Sequence, residues 1–280
     1  MIDPGVLCEI TDAFESGSAI PYLGPGMLKL AEAPCPLPTS AEELVGRLTA
    51  KASVPHKIRK NLTATAQFIE NFKHRRTVKT AMTEAFRPAI PPTGLHRFLA
   101  EQPALPLVVH VWYDDLPQKA LAGRKNWGMV QGVSQAEHFG TWVHYYNPEG
   151  SQVEACNSDT LLYQPLGSVA PAGNFLVSDS DYVEVLTEID IQTPIPKEVQ
   201  QRRSGRNFLY LGCRFAYQLD RLFARQIMKR SSSKHWAVLP DEPTRNEARF
   251  LREQNITRIA APLGEFAEAL ENSRAAIQAL

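Results

Sequence analysis

Short apolar runs that stop at Gly, Pro or Asp recur along the chain. They alternate with stretches whose apolar residues repeat every three to four positions. The runs Ala19–Leu23, Leu105–Tyr113, Leu161–Pro165, Asn207–Leu211, His235–Leu239 and Ile256–Ala260 predict strands. Between them the period changes. Val6, Leu7, Ile10 and Phe14 fall on one helical face. Ser40-Ala41-Glu42-Glu43 has the form of a capping box ahead of Leu44, Val45 and Leu48. In such a box the serine satisfies a free amide of the first turn and the glutamate reaches back to the cap. Thr244-Arg245-Asn246-Glu247 repeats that logic before Ala248, Phe250 and Leu251, and Phe215–Arg230 and Gly264–Leu280 predict further amphipathic helices.

Strands alternating with helices predict an α/β fold, a doubly wound, mostly parallel Rossmann-like sheet covered on both faces. Two stretches break the alternation. Residues from about 40 to 102 carry helical patterns at Ser40–Lys51, Thr63–Phe72, Arg76–Phe86 and Gly94–Gln102 with no strand among them. They predict a helical insertion between the first and second strands of a single domain spanning 1–280. Ala122 to Ser158, rich in Gly, Trp, Tyr, Asn and His, is expected to run over the sheet as a long excursion.

Composition narrows the partners. With 280 residues, 44% of them apolar, the chain can bury a real core. The formal net charge is zero, which removes the main reason to expect a nucleic-acid ligand, and none is expected. The basic clusters Arg202-Arg203-Ser204-Gly205-Arg206 and Lys229-Arg230-Ser231 read as solvated loops or helix ends. The longest nearly apolar run, Ala104 to Tyr113, falls far short of the roughly 20 residues that span a bilayer, and the first residues lack a signal-peptide pattern. A cytoplasmic protein with no membrane partner is expected. Cys8, Cys35, Cys156 and Cys213 form no C-x-x-C pair. They therefore suggest neither zinc nor a disulfide framework, and read as buried reduced thiols. No metal site is expected. There is no G-x-S-x-G elbow, Walker loop or H-E-x-x-H. Asp179-Ser180-Asp181 reads as a helix cap rather than a metal loop, and His138 and His144 share a loop with Trp142, Tyr145 and Tyr146.

Ligands of doubly wound sheets sit at the carboxyl ends of the strands. Those ends carry Gly24-Pro25-Gly26-Met27, Trp112-Tyr113-Asp114-Asp115, Leu166-Gly167-Ser168 and Gly212-Cys213-Arg214. In that order the segments resemble the motifs of the Sir2-like family. "SGSAIPYLGPGM" stands where the family has its first strand and G-A-G-x-S turn. "VVHVWYDDLPQKAL" aligns with a strand ending T-x-N-Y-D, and "LLYQPLGSV" with one ending L-H-G. Ser178-Asp179-Ser180-Asp181-Tyr182 matches a T-x-x-D-Y helix start, and "FLYLGCRF" leads to the last glycine turn. Supporting matches are "LPTSAEELV", "GLHRFLA" and "ITRIAAPLGEFAEAL", so the likeness covers nearly the whole chain.

The resemblance implies a nucleotide site, for NAD or ADP-ribose, at Gly24, Pro25, Gly26, Met27, Asp114, Gly167, Gly212 and Cys213. The missing zinc-binding cysteine pairs place the chain with the bacterial zinc-less branch. Members of that branch hydrolyse NAD, often in antiviral defence, or act through bound nucleotides and protein partners. This chain departs from the family at the two residues that do the chemistry. Leu166 stands for the histidine of L-H-G, and Trp112 for the asparagine of T-x-N-Y-D. Leucine accepts no proton, and an indole only donates. The expectation is a catalytically degenerate module, a pseudoenzyme that binds a nucleotide or, as protein partner or homo-oligomer, another chain. An active NAD hydrolase or ADP-ribosyl transferase using His110, Asp114 or Asp115 is the alternative, and a ligand-free structural subunit the third reading.

Overall fold

The computed structural model describes residues 2–188 and 195–278. The chain opens with α1 (Pro4–Glu15) and β1 (Ala19–Leu23), followed by a 3₁₀ turn (Pro25–Leu30). A helical segment comes next: α2 (Ala41–Ala50), α3 (Leu62–Lys73), α4 (Arg75–Phe86) and α5 (Gly94–Ala100). Then come β2 (Leu107–His110), α6 (Leu116–Leu121), β3 (Trp127–Gly132), β4 (Val143–Tyr146), β5 (Gln152–Val153) and β6 (Thr160–Gln164). A small hairpin, β7 (Gly167–Ser168) and β8 (Asn174–Phe175), precedes α7 (Asp179–Glu188) and α8 (Lys197–Arg203). The chain closes with β9 (Asn207–Leu211), α9 (Gln218–Met228), β10 (His235–Val238), α10 (Arg245–Glu253), β11 (Ile256–Ile259) and α11 (Leu263–Gln278).

Among the described residues nine strands form one sheet in the order β11-β10-β9-β1-β2-β6-β3-β4-β5, parallel except at β3–β4 and β4–β5. Successive side chains of a strand point to opposite faces, and the central strands obey this with apolar residues on both. Ile20, Tyr22, Val109, Tyr163, Phe208 and Tyr210 pack under α2, α3, α4, α7 and α9. Ala19, Leu23, Val108, Leu162, Leu209 and Leu211 pack under α1, α5, α6 and α11. Burial on both faces explains why these strands read as unbroken apolar runs.

The helix starts follow their caps. Ser40 Oγ accepts the Glu43 amide at 3.2 Å, and Thr244 with Glu247 makes a reciprocal box. Each such cap is worth about 1 kcal/mol. Asp179-Ser180-Asp181 is also a helix start: Ser178 Oγ accepts the Asp181 amide, while Asp181 accepts the amides of Val177 and Ser178 at 2.8 and 3.0 Å.

Several sequence expectations need correction. The stretch 122–158 does not run over the sheet; it extends it, and β3 is buried on both faces between β6 and β4. Its sequence, WGMVQG, carries two glycines and one β-branched residue, so it lacks the strand signal that its position would otherwise leave. The second strand ends at His110, three residues early, because Asp114 and the turn at Asp115 redirect the chain into α6. The basic cluster at 202–206 is not a solvated face. Arg203, 4% exposed, donates to the last carbonyls of α9, Gln226 and Ile227; Arg202 holds the Pro106 and Asp159 carbonyls and Arg206 that of Gly17. Cys156 and Cys213 are buried as expected, but Cys8 is exposed and Cys35 half-buried; all four are free. The last predicted helix reaches Gln278, and its final residues, 279–280, lie outside the described residues.

Candidate functional site

The turn after β1 lies against the turn after β9. The Gly24 amide donates to the Leu211 carbonyl, the Gly26 amide to the Gly212 carbonyl and the Met27 amide to the Gly24 carbonyl, at 2.9, 2.9 and 3.1 Å. Pro25 has no amide. Each amide of the turn is therefore engaged within the protein. The glycines are required by contact: a Cβ on Gly26 would lie 2.9 Å from Gly212 Cα, and one on Gly24 2.6 Å from the Gly212 carbonyl oxygen. Met27 points under the turn, 1% exposed, into the core built with α1 and α5. The helix that follows is a six-residue 3₁₀ turn, not the long α-helix of a phosphate-binding βα unit.

Trp112 is 4% exposed. Its indole N–H donates to the Pro38 carbonyl at 2.9 Å, and its ring meets Phe86 edge-on at 5.8 Å and Tyr113 at 5.2 Å. It thus ties the end of β2 to the loop before α2 and to the end of α4. Leu166 belongs to the same buried apolar cluster. Gly167, φ 77°, opens the β7–β8 hairpin, and a Cβ there would lie 2.1 Å from the Asn174 carbonyl oxygen. Tyr113 OH donates to the Leu176 carbonyl at 2.8 Å. Cys213 is buried, with its thiol against the Tyr22 and Leu211 carbonyls; burial, then the nearby Asp220 charge, pushes that thiol well up, so it has no thiolate character.

The polar candidates face the other side of the sheet. His110 and Asp114, 1% and 2% exposed, are bonded to each other at 3.2 Å. Gln164 Nε2 donates to His110 Nδ1 at 3.2 Å, which leaves the imidazole proton on Nε2, directed at Asp114. Asp114 also accepts the Leu116 amide. Burial opposes its charge, but His110, His96 and that amide together hold its carboxyl below the ordinary range. The row continues sideways. Gln131 and Gln118 both donate to Gln164 Oε1 at 2.9 and 3.0 Å, and Asn174 donates to Gln131 Oε1 and to Tyr146 OH. Donors therefore run one way, from Asn174 through Gln131, Gln164 and His110 to the carboxylate of Asp114. Asp115 lies outside this chain and pairs with Lys119 at 2.8 Å.

Sequence reasoning singled out His110 and Asp114 but missed Gln131, Gln164, Asn174 and Gln118. The sequence held little signal for this row: His110 lies inside the apolar run Leu105–Tyr113, WGMVQG does not read as a strand, and only the fold sets Gln131 beside Gln164 in register. Arg75 also went unread. It reaches Asp181 at 2.7 Å, Glu70 at 3.2 Å and Glu137 at 3.4 Å and donates to the Phe175 carbonyl, fastening α4 to α7, to the hairpin and to the β3–β4 loop. His138 of that loop meets His144 of β4 edge-on at 4.7 Å, and His144 touches Tyr146; Phe139, in the loop, is 95% exposed. Among the described residues no three His, Cys, Asp or Glu side chains converge as metal ligands, and no helix is long and apolar enough to cross a membrane.

The arrangement brings Trp112 and Leu166 into one apolar cluster, and His110 and Asp114 into a closed polar row on the opposite face. Against the Gly24–Met27 turn it sets the Cys213 thiol, which burial keeps protonated. No curated protein matches the chain. The solved structure described as "Structural Basis for the Mechanism and Regulation of Sir2 Enzymes" is similar over 98% of this chain and 99% of its own, at 14% identity and a TM-score of 0.43. The family model described as SIR2-like domain matches residues 106–259, more than half of the chain, from the start of β2 to the end of β11. With its mostly parallel sheet and the order of its strand-end segments, the chain belongs to the SIR2-like domain family.

Proposed function

We propose that this SIR2-like domain does not cleave NAD and acts by binding, as a zinc-free cytoplasmic module that recognises a protein partner or reads a nucleotide without turning it over. Membership of the family ties the chain to NAD-related function. The observation that carries the reading is Trp112. At the position where the resemblance puts a ribose-holding asparagine, a buried indole donates its one proton to Pro38 and packs on Phe86. Leu166, at the expected histidine, adds a second apolar side chain to the same cluster. The engaged amides of Gly24, Gly26 and Met27 support the same view, because a pyrophosphate there would have to displace bonds the protein already makes. The four free thiols suit a reducing compartment.

The test pairs two measurements on the purified protein. Nicotinamide release from NAD is expected to stay at the level of buffer alone, and turnover above it that is lost on changing Trp112 or Asp114 overturns the proposal. Calorimetry with NAD and with ADP-ribose then separates the two modes of binding. Heat without turnover identifies a nucleotide reader, and no heat with either identifies a protein-interaction module.

A further inference from the structure

The chain is neutral as a whole, but its charge is not evenly spread. Residues 41–100 hold eleven Lys and Arg against four Asp and Glu, a surplus of seven, which the rest of the chain balances. Much of that surplus lies at the two ends of α3. Lys57 and Lys60 precede it, and Lys73 and Arg76 flank the turn into α4; all four are exposed, and among the described residues none meets a carboxylate. The acidic groups nearby are already engaged. Glu70 and Asp181 bind Arg75, Asp179 takes the Thr63 hydroxyl, and Glu137 holds Lys79.

Between those basic ends the helix is aromatic. Phe68 and Phe72 share a face four residues apart, their ring centroids 4.4 Å apart and 31° from parallel, and Phe72 is 68% exposed. Phe68 is half-buried and packs against the core with Ile69, and Thr63 and Gln67 bond to α7, so α3 is fixed with Phe72 outward and Phe68 behind it. A helix of twelve residues is about 18 Å long. At about 3.4 Å per stacked nucleotide that length matches roughly five nucleotides.

We propose that the outward face of α3 binds single-stranded nucleic acid, with a base stacked on Phe72, which Phe68 backs from the core side, and the phosphate backbone held at the ends of the helix by Lys57, Lys60, Lys73 and Arg76. Single strands combine exposed aromatic faces with regularly spaced anions, and surfaces that bind them pair aromatic rings with cations in this way. The site uses none of the residues at the strand ends. It would give a SIR2-like domain a ligand that its net charge conceals.

The experiment is fluorescence anisotropy of a labelled mixed-sequence DNA strand of about 15 nucleotides, long enough to cover such a site. Binding is expected at low salt. Its affinity should fall with salt at a logarithmic slope of about −2 to −3, as four phosphate contacts on a single strand require. Phe72→Ala is expected to weaken binding about tenfold, the loss of one base stack. Lys73→Glu with Arg76→Glu should weaken it at least as much and flatten the salt slope. Both changes are at exposed positions, and unchanged circular dichroism and melting confirm that the fold is kept. No binding by the native protein at low salt overturns the proposal. So does equal affinity of native protein and Phe72→Ala, or equal binding of a duplex, which would reduce the site to charge alone. An acidic protein that binds this face while DNA does not also overturns it.

Discussion

The amide of Gly26 lies 2.9 Å from the carbonyl oxygen of Gly212, and neither residue has room for a Cβ. Gly212 sits at φ 64°, and a methyl group there would lie 2.4 Å from the Met27 nitrogen, a backbone atom that cannot step aside. Gly212→Ala is therefore expected to lower stability by about 2 to 4 kcal/mol, from the left-handed conformation and the clash together. Gly26→Ala should cost a similar amount, and the double change less than the sum, because both open one contact. Gly46, mid-helix in α2, is the control, because a methyl group there would have nothing within 4 Å: Gly46→Ala should stabilise by up to about 1 kcal/mol. Urea midpoints read all four proteins. A Gly212→Ala variant as stable as the native protein would show that the two turns separate in solution, and with it that the amides can be freed for a phosphate.

Trp112 gives the second expectation. Trp112→Phe keeps most of the ring's packing but leaves the buried Pro38 carbonyl without its donor, at a cost of about 1 to 3 kcal/mol. Trp112→Ala also opens a cavity between Phe86 and Tyr113 and should cost about 3 to 5 kcal/mol. Denaturant titration of both variants checks the ordering. If Phe and Ala cost the same, the indole contributes through its hydrogen bond alone and the site is not packed around it.

The strand and helix pattern was legible because most core strands are buried on both faces and most helices carry side-chain caps. β1 and β9 lie where their apolar runs place them, and Thr244 caps α10 with Glu247. β3 was not legible, since its two glycines are required by close packing rather than by a turn. A Cβ on Gly132 would lie 2.1 Å from the Pro165 carbonyl oxygen, and one on Gly128 2.8 Å from Cys156 Sγ. The ordered strand-end segments pointed to the family, whereas the roles of individual residues were hidden. Nothing local distinguishes a Gln that terminates a strand from one that completes a buried row such as Gln131–Gln164–His110. Arg75 stands in the basic run Lys73-His74-Arg75-Arg76, and only the fold separates it from its solvated neighbours.

Acid sensitivity should trace to buried histidines. Burial holds His96 at about 4, against an ordinary 6.5, with the nearby Asp114 charge pulling the other way and His110 adding to the fall. Between pH 6.5 and 4 the unfolded chain takes up a proton that the folded chain does not, so stability falls as pH drops through that window. The limit for this one group is about 3 kcal/mol. His235, also held at about 4 by burial, adds a contribution of the same sign. Asp220 works the other way: burial raises its carboxyl to about 7, so the folded chain keeps a proton that the unfolded chain loses above about 4, and stability falls as pH rises from 4 to 7. His96→Asn is expected to flatten the acid limb, and Asp220→Asn to raise stability at pH 8 while changing it little at pH 4. Urea midpoints across that range decide it; a His96→Asn curve parallel to the native one would remove His96 from the account.

The Arg75–Asp181 pair carries the last expectation. Asp181 is 2% exposed and Arg75 14% exposed, and their 2.7 Å bond closes a set that includes Glu70, Glu137 and the Phe175 carbonyl. Burial opposes the charge of Asp181, but Arg75, Ser134 and the Ser178 amide outweigh it and hold the carboxyl below the ordinary range. Arg75→Met leaves that carboxylate buried and unpaired and should cost about 3 to 5 kcal/mol at neutral pH. Asp181→Asn in the same chain should recover part of the loss, with a coupling of about 1 to 3 kcal/mol. The sign with pH follows: a carboxyl lowered in the folded state contributes stability above its unfolded pKa and loses it as pH falls. The gap between native protein and Arg75→Met should therefore narrow below about pH 4, near the 3.8 of a free Asp. A gap that stays constant to low pH would mean that Arg75 holds α4 to α7 through packing and the Phe175 carbonyl, and that its charge contributes nothing.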